Sequence, residues 1–252
     1  MKRIIVFLII SNISFSQQVK RKLVWEENFD GNTLNQNAWN YELGDGCPNL
    51  CGWGNSERQI YSTDNHNVQN GNLIITAKKS ETNYSSTRIT TQGKKEFLYG
   101  RIEARAKLPI GKGIWPAFWM LGSNIKSVGW PKCGEIDILE YVGRDPHFVF
   151  TSLHTDSSHG NTINTKKTNI PTIEEGFHVY TVDWTQDKIE FFVDNNSVYT
   201  YNPEIKNEAT WPFNKPFYIL VNMAIGGNFG GPDVDDSIFP QQFEIDYIKV
   251  FQ

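Results

Sequence analysis

The strongest constraint on the fold is an alternation of apolar and polar residues that recurs along most of the chain. It is clear in six segments: 73–78, 101–108, 148–153, 177–183, 188–193 and 243–250. Side chains on a β-strand point to opposite faces in turn, so this pattern predicts strands that are buried on one face. Helical periodicity never runs far. The sequence therefore predicts an all-β fold, either a sandwich or a barrel.

Turn residues separate the predicted strands. Asn70-Gly71 marks one turn, residues 194–197 predict a hairpin between Val193 and Val198, and residues 226–236 form a glycine-containing loop. The 8 Trp, 10 Tyr and 16 Phe residues agree with a β-rich chain, because aromatic side chains pack well on a pleated surface. With no internal repeat or low-complexity linker, we expect a single domain.

The N-terminus has the pattern of a secretory signal peptide. Lys2 and Arg3 precede the apolar run 4–10, and small residues flank Phe15 just before position 17. We expect cleavage after Ser16, so that residues 1–16 are the signal peptide and 17–252 the mature domain. No later segment approaches the ~20 apolar residues that a membrane-spanning helix needs. The sequence thus predicts a protein that is exported, and secreted or periplasmic.

Charge and cysteine content limit the partners and the chemistry. The formal net charge is −4, and loss of Lys2 and Arg3 would make it more negative, which disfavours a nucleic-acid partner. We also expect no membrane partner and a monomer. Cys47 and Cys51 are close enough for a turn to bring them within disulfide range, which would leave Cys133 unpaired; their pairing stays open. No His has the spacing from these cysteines that a zinc finger requires.

Three carboxylates are concentrated in the segment G134-E-I-D-I-L-E140. On a regular strand Glu135 and Asp137 share one face, whereas Glu140 would point to the opposite, apolar face at a cost of several kcal/mol. A β-bulge around Leu139 would absorb one residue and place all three carboxylates on the same face. Their mutual repulsion would then raise at least one pKa, as a general acid near neutral pH requires.

An acidic strand face exposed to water is the simpler interpretation of this segment. Its neighbours favour a binding site instead, because aromatic side chains lie on both sides of it in sequence: Trp115, Trp119 and Trp130 upstream and His154 downstream. Taken alone, each tryptophan is more often a core residue than a binding surface. A tryptophan near acidic groups suits a sugar ring, whose C–H face stacks on indole while its hydroxyls bond to carboxylates.

Longer motifs resemble glycoside hydrolase family 16, in particular its laminarinase-type endo-β-1,3-glucanases. The similar segments are Y99-G-R-I-E-A-R-A-K-L-P, G113-I-W-P-A-F-W-M-L-G, W130-P-K-C-G-E-I-D-I-L-E-Y-V-G, L153-H-T, F177-H-V-Y-T-V-D-W, W211-P-F, N222-M-A-I-G-G-N-F-G-G and F243-E-I-D-Y-I-K-V. They occur in the family's order and cover most of residues 23–252. The resemblance implies a β-jelly-roll sandwich of two antiparallel sheets with a concave substrate cleft, and a secreted, retaining endo-glycosidase that cuts β-1,3-glucan such as laminarin.

Matching the family motif residue by residue implies roles for the carboxylates. Glu135 corresponds to the nucleophile, Glu140 to the acid/base, and Asp137 to the carboxylate that orients both. The resemblance also implies a set of substrate-binding residues: Asn55, Glu103, Arg105, Trp115, Trp119, Trp130 and His154. Glu103 and Arg105 could instead belong to a solvated ladder of salt bridges. Phe229 departs from the family, which often has Trp at that position.

The resemblance implies no catalytic cofactor but a structural Ca²⁺ on the convex side. Its ligands would be Glu27, the backbone carbonyl of Gly71 and Asp246, which are oxygen donors of the kind that a hard cation prefers. Asp246 could also be an ordinary surface residue. Two further alternatives stay open: a non-catalytic, lectin-like jelly roll that binds polysaccharide, and the same fold acting on mixed-linkage glucan or a galactan.

Overall fold

The computed structural model describes residues 21–252 and contains eighteen β-strands. The signal peptide predicted for residues 1–16 and the start of the predicted domain, residues 17–20, lie outside the described residues. In chain order the strands are β1 (Leu23–Glu27), β2 (Asn40–Tyr41), β3 (Gln59–Tyr61), β4 (His66–Gln69), β5 (Asn72–Lys79), β6 (Tyr84–Ser86), β7 (Arg88–Thr90), β8 (Glu96–Phe97), β9 (Gly100–Lys107), β10 (Ile114–Gly122), β11 (Glu135–Glu140), β12 (Phe148–His154), β13 (Thr165–Asn169), β14 (His178–Trp184), β15 (Ile189–Val193), β16 (Asn196–Tyr201), β17 (Phe217–Ile225) and β18 (Gln241–Phe251).

Helical structure in the described residues is confined to single turns, as the lack of helical periodicity predicts. The α-helical turns are α1 (Ile125–Val128) and α2 (Gly227–Gly230), and the 3₁₀ turns are Cys51–Gly54, Thr63–Asn65 and Asp236–Ile238. The predicted hairpin is confirmed between β15 and β16. Asp194 and Asn195 form its two-residue loop with φ of 50° and 65°, which is the left-handed conformation that tight hairpins use.

The strands form two sheets. The ten-stranded sheet has the order β16-β15-β14-β9-β18-β5-β6-β3, with β1 beside β18 and β4 beside β5. The eight-stranded sheet has the order β13-β12-β11-β10-β17-β7-β2, with β8 beside β17. All pairings are antiparallel except β3 with β6. The fold is thus the β-jelly-roll sandwich of two predominantly antiparallel sheets predicted above.

The hydrophobic core lies between the two sheets. Ile102, Ala104 and Ala106 of β9 point into it from the ten-stranded sheet, and Phe118 and Met120 of β10 point into it from the eight-stranded sheet. Burial of such apolar faces on both sheets is the main source of stability in a sandwich. The opposite face of the eight-stranded sheet is left to carry the cleft.

A disulfide joins Cys47 to Cys51 in the loop before β3. Cys133 is unpaired and buried. Its thiol has a pKa raised to about 12, chiefly because it is buried and also because Glu135 lies nearby. A thiol with that pKa stays protonated at neutral pH and is a poor nucleophile or metal ligand.

Candidate active site

The three carboxylates of β11 lie on one face of the eight-stranded sheet. Ile136, Ile138 and Leu139 all join the core, so two consecutive residues of the strand point inward. The pairing of β11 with β12 shifts between Asp137 and Glu140, and the pairing with β10 shifts at the same place. The predicted β-bulge is thereby confirmed, and it returns Glu140 to the face that carries the other two carboxylates.

Glu135 has an aromatic donor and an imidazole close to its two oxygens. Trp130 donates its indole Nε1–H to Oε2 at 2.6 Å. His154 stands directly opposite on β12, with its Nε2 3.9 Å from Oε1 of Glu135 and 3.2 Å from Oδ2 of Asp137. Hydrogen bonds to an ionised carboxylate stabilise the charged form, so this arrangement suits a carboxylate that acts as an anion.

Glu140 has a different environment. Burial raises its pKa well above the ordinary value for Glu, and the charges of Asp137 and Glu135 raise it further. The charge of His154 and the hydrogen bond from Trp115 Nε1 to Oε1, 3.1 Å long, oppose that rise. Glu140 therefore keeps its proton to higher pH than a free glutamate, which is the property of a general acid.

Asp137 lies between the two glutamates and is only 3% exposed. Burial raises its pKa well above that of a free Asp, with a further contribution from the neighbouring charge and hydrogen bonding of Glu135. A protonated Asp137 can donate to Glu135, which lets Glu135 carry the negative charge of the pair. The environments of the three acids thus differ as two-carboxylate chemistry requires.

Trp119 and Trp115 lie on β10, on the same face as the carboxylates. Trp119 is opposite Asp137 in the strand pairing, and its indole Nε1 donates to Asn222 Oδ1 at 2.8 Å. The guanidinium of Arg88 lies 4.9 Å from the centre of its ring. The two partners fix the ring by a hydrogen bond and a cation–π contact, and Trp119 is partly exposed.

Aromatic side chains extend the cleft beyond Glu140. Phe229 packs edge-on against Trp115 and Phe150, at ring-centre distances of 5.4 and 4.9 Å. Lys167 lies 5.4 Å from the centre of the Phe150 ring. The sequence singled out Phe229 but not Phe150, which belongs to an alternating strand whose cleft-facing residues periodicity alone cannot distinguish from core residues.

Asn55 lies in the loop that precedes β3. Its Nδ2 donates to Glu57 Oε1 at 3.3 Å, and its carbonyl accepts from the backbone N–H of Asn228 at 2.7 Å. The bond from Asn228 attaches this loop to the turn that follows β17, a central strand of the eight-stranded sheet. The structure therefore places five of the predicted binding residues on the side of the molecule that carries the three carboxylates: Asn55, Trp115, Trp119, Trp130 and His154.

The expectation that Glu103 and Arg105 lie in the cleft is corrected by the structure. Both are on β9, in the middle of the ten-stranded sheet, and they point away from the core on the far side of the sandwich. Arg101 Nε donates to Glu103 at 3.0 Å, and Arg105 pairs with Asp246 at 2.6 Å. Strand alternation identified their face correctly but could not identify the sheet. They form the salt-bridge ladder that was the alternative interpretation.

The three residues predicted as calcium ligands also belong to the ten-stranded sheet and its turns. Glu27 ends β1, which pairs with β18, the strand of Asp246, and Gly71 is in the turn between β4 and β5. Glu27 accepts from the Phe29 N–H at 3.1 Å and from Trp39 Nε1 at 3.2 Å. Arg105 engages one oxygen of Asp246, so each carboxylate retains lone pairs for a cation.

One cluster in the cleft also has metal-ligand geometry. Glu135, Asp137 and His154 each place one ligand atom within 4.8 Å of the other two. Strand geometry accounts for this proximity, because two carboxylates on one strand face and an imidazole on the paired strand opposite them must lie this close.

Comparisons with known proteins agree with this geometry. The family model "Glycosyl hydrolases family 16" matches residues 54–249. A beta-glucanase from Rhodothermus marinus is 38% identical over 249 residues, which are 92% of this chain and 85% of the relative. A glucan endo-1,3-beta-glucosidase from Cryptopygus antarcticus is 35% identical over 253 residues, covering 90% of each protein.

A solved structure is similar over nearly the whole described chain. It is the laminarinase from Flavobacterium sp. UMI-01, which is 74% identical with a TM-score of 0.90, and the match covers 92% of this chain and all of that one. Among residues 21–252, no helix has the length and apolar character needed to cross a membrane. A carboxylate-bearing strand of this kind, in this sandwich and with these relatives, identifies the chain as a glycoside hydrolase that belongs to glycosyl hydrolases family 16.

Proposed function

We propose that the protein is a retaining endo-β-1,3-glucanase in which Glu135 is the nucleophile and Glu140 the acid/base. The observation that carries this proposal is the bulged strand β11, which presents both glutamates on one face while giving them different environments. Trp130 donates to Glu135, whereas burial and neighbouring negative charge hold the pKa of Glu140 high. A retaining glycosidase needs one carboxylate that is charged and one that is protonated.

In the first step Glu135 attacks the anomeric carbon while Glu140 gives its proton to the leaving oxygen. The bond that breaks is the glycosidic C–O bond, and the bond that forms is an ester between the sugar and Glu135. Loss of the proton leaves Glu140 as a carboxylate. The Trp115 N–H then faces an anion, which strengthens that hydrogen bond.

In the second step Glu140 takes a proton from water, and the water oxygen attacks the same anomeric carbon. The ester bond breaks, Glu135 returns to its charged form, and the product keeps its original configuration. Asp137 assists both steps as a positioning group, because its proton can be directed at Glu135 when that carboxylate is charged. No cofactor is needed for either step.

Substrate binding is assigned to the residues around these acids. The exposed parts of Trp115, Trp119 and Trp130 would stack on sugar rings, while Asn55 and His154 would bond to hydroxyl groups. An open cleft of this kind admits an internal stretch of polymer, so cleavage is expected within the chain. A β-1,3-glucan curves enough to present successive glucose faces to a curved aromatic floor.

The substrate class is supported by three relatives whose names include β-glucanase, endo-1,3-β-glucosidase and laminarinase. We propose laminarin as the principal substrate, mixed-linkage β-1,3-1,4-glucan as a secondary one, and no action on cellulose. Sulfated galactans would favour more basic side chains than a chain of net charge −4 offers.

A panel of polysaccharides with sizing of the products tests this function. Short oligosaccharides from laminarin at early times are the expected result, and Glu135→Gln run in parallel excludes a contaminating enzyme. Degradation of agarose or carrageenan without degradation of laminarin would overturn the substrate assignment. Accumulation of glucose alone from the first time points would overturn the endo mode.

We further propose that Glu27, the carbonyl of Gly71 and Asp246 hold a structural Ca²⁺ on the sheet opposite the cleft. The proposal is supported by the pairing of the strands that carry the two carboxylates and by the preference of Ca²⁺ for oxygen ligands. Such an ion would stabilise the junction of β1 with β18 without taking part in hydrolysis.

We propose, finally, that residues 1–16 direct export and are removed after Ser16, and that 17–252 act as a single, monomeric catalytic domain. The signal-like pattern of residues 2–16 supports export. Mass spectrometry of the protein recovered from culture medium or periplasm tests it: a chain that begins at Gln17 is expected, and an uncleaved cytoplasmic chain would contradict it.

A further inference from the structure

A buried carboxylate outside the catalytic strand lies at the centre of a hydrogen-bond network. Glu57 is 9% exposed, and its two oxygens accept from three side chains. Oε1 accepts from Asn55 Nδ2 at 3.3 Å, and Oε2 accepts from Gln59 Nε2 at 2.6 Å and from Tyr61 OH at 3.1 Å. The hydrolytic mechanism makes no use of this carboxylate, and burial raises its pKa.

One branch of the network reaches the cleft through Tyr61. The Tyr61 hydroxyl accepts from Asn222 Nδ2 at 3.0 Å, and Asn222 Oδ1 accepts from Trp119 Nε1 at 2.8 Å. Tyr61 and Asn222 are both buried, so each bond lies in a region of low dielectric where hydrogen bonds are strong and unpaired groups are costly. Glu57 is thereby connected to the indole that stands opposite Asp137.

The other branch fixes the loop that carries Asn55. Trp53 and Ser56 in this loop have φ of 53° and 58°, a left-handed conformation that costs non-glycine residues about 1–2 kcal/mol each. Such a conformation persists only where surrounding contacts hold it. The backbone N–H of Glu57 bonds to the Gly52 carbonyl at 3.0 Å, and its side chain bonds to Asn55 itself.

A third contact ties both branches together. The guanidinium of Arg88 contacts two indoles, 4.4 Å from the centre of the Trp53 ring and 4.9 Å from that of Trp119. Its charge also stabilises the carboxylate of Glu57. Trp53 of the loop and Trp119 of the sheet thus contact the same cation, and Trp119 is also linked to Glu57 through Asn222 and Tyr61.

We propose that Glu57 is a positioning residue that sets Asn55 and Trp119 in register with each other, so that one stretch of glucan is held by the loop and the sheet at once. This role rests on the proposed function, in which Asn55 and Trp119 contact the substrate. Glu57 itself does not touch sugar. This role requires a carboxylate. A side chain must accept hydrogen bonds on two atoms to satisfy the donors of Asn55, Gln59 and Tyr61 at the same time.

The test compares KM and kcat on laminarin for wild type, Glu57→Gln, Asn55→Ala and the double variant. Glu57→Gln keeps the shape but directs an amide N–H₂ at side chains that are themselves donors. We expect KM to rise about tenfold, equivalent to ~1.4 kcal/mol, with kcat changed less than about threefold, because the loss affects binding of ground and transition states alike. In the Asn55→Ala background the same substitution should raise KM by a clearly smaller factor.

Two controls separate positioning from general destabilisation. Glu174→Gln disrupts another network, in which Glu174 accepts from Tyr141 OH at 2.5 Å, and should lower Tm without changing KM. Tyr61→Phe removes the branch to Trp119 only and should raise KM less than Glu57→Gln does. It also provides the measurement if Glu57→Gln does not fold.

Three results would overturn the proposal: an unchanged KM in folded Glu57→Gln, equal factors in the two backgrounds, or a rise of KM in Glu174→Gln that follows Tm. Failure of wild-type enzyme to hydrolyse laminarin would instead contradict the proposed function, and the two failures are therefore distinguishable.

Discussion

The indole Nε1 of Trp130 lies 2.6 Å from Oε2 of Glu135, although the two residues stand on opposite sides of the turn that begins β11. Trp130 is 46% exposed, so its donor is held at the carboxylate by the loop and not by burial in the core. His154 and His159 support the ring, with ring centres 6.0 and 5.3 Å away. In the proposed mechanism, this exposed aromatic ring would stack on a sugar and also donate a hydrogen bond to the nucleophile.

Trp130→Phe tests the contribution of this N–H to catalysis. The substitution keeps an aromatic face but removes the donor, so Glu135 loses a hydrogen bond of the charge-assisted kind, about 1.5–3 kcal/mol. We expect kcat on laminarin to fall about tenfold or more. Trp119→Phe is the matched control, because its N–H serves Asn222, and it should mainly raise KM. An unchanged kcat in Trp130→Phe would mean that the bond has no role in turnover.

The pH dependence of Asp137→Asn tests the coupling between the acids. A general acid acts only while protonated, so activity is lost as pH rises through the pKa of Glu140. As pH rises through its own raised pKa, Asp137 ionises, and its charge is then one of the causes that raise the pKa of Glu140. Its neutral replacement should therefore move the basic limb of kcat/KM to lower pH. Ser152 lies opposite Asp137 on β12. Because Ser152→Ala removes no charge, it should leave the basic limb of kcat/KM in place. A shift to higher pH would contradict the coupling.

The outer face of the ten-stranded sheet should be dispensable for hydrolysis. Glu103→Ala breaks an ion pair with Arg101 that lies away from the cleft, and surface ion pairs contribute about 0–1 kcal/mol. We expect kcat/KM within about twofold of wild type and at most a small decrease in Tm. Lys107→Ala, which breaks the ion pair of Lys107 with Glu244, is the matched control. A tenfold loss of kcat/KM in Glu103→Ala with kcat/KM unchanged in Lys107→Ala would show that Glu103 takes part in substrate turnover.

Removal of calcium should affect stability and not turnover. If Asp246 holds an ion, a chelator lowers Tm because the ion binds the folded chain and not the unfolded one, and added Ca²⁺ restores it. The kcat measured well below Tm should stay the same. Asp246→Asn should start with the lower Tm and respond little to chelator. Loss of activity without loss of Tm would place a metal in the cleft instead.

Local patterns predicted those features that depend on strand parity. The wrong parity of Glu140 predicted the bulge, because a buried carboxylate on the apolar face would be too costly. Parity also placed Glu103 and Arg105 on a polar face, but which sheet a strand joins depends on pairings between distant segments. The position of β9 between β14 and β18 is not encoded in its own residues.

One central strand of the cleft sheet, β17, has no alternation of buried and exposed residues. Every residue of β17 is buried, because Tyr218 and Leu220 are covered on the cleft side by Leu121 and Cys133. The Glu57 network was equally inaccessible to local patterns, since Tyr61 and Asn222 are 161 residues apart in sequence. Buried strands and long-range polar contacts need the assembled fold before they can be recognised.

The site of covalent attachment tests the central claim most directly. The probe is a laminari-oligosaccharide with fluorine at C2 and a good leaving group at C1. The fluorine slows hydrolysis of the glycosyl-enzyme more than the leaving group allows its formation to slow, so the ester between sugar and enzyme accumulates. Peptide mapping by mass spectrometry then locates the sugar. The account predicts a label on Glu135, at one sugar per chain, with Glu140 unmodified. A label on Glu140, or turnover with inversion and no label, would contradict it.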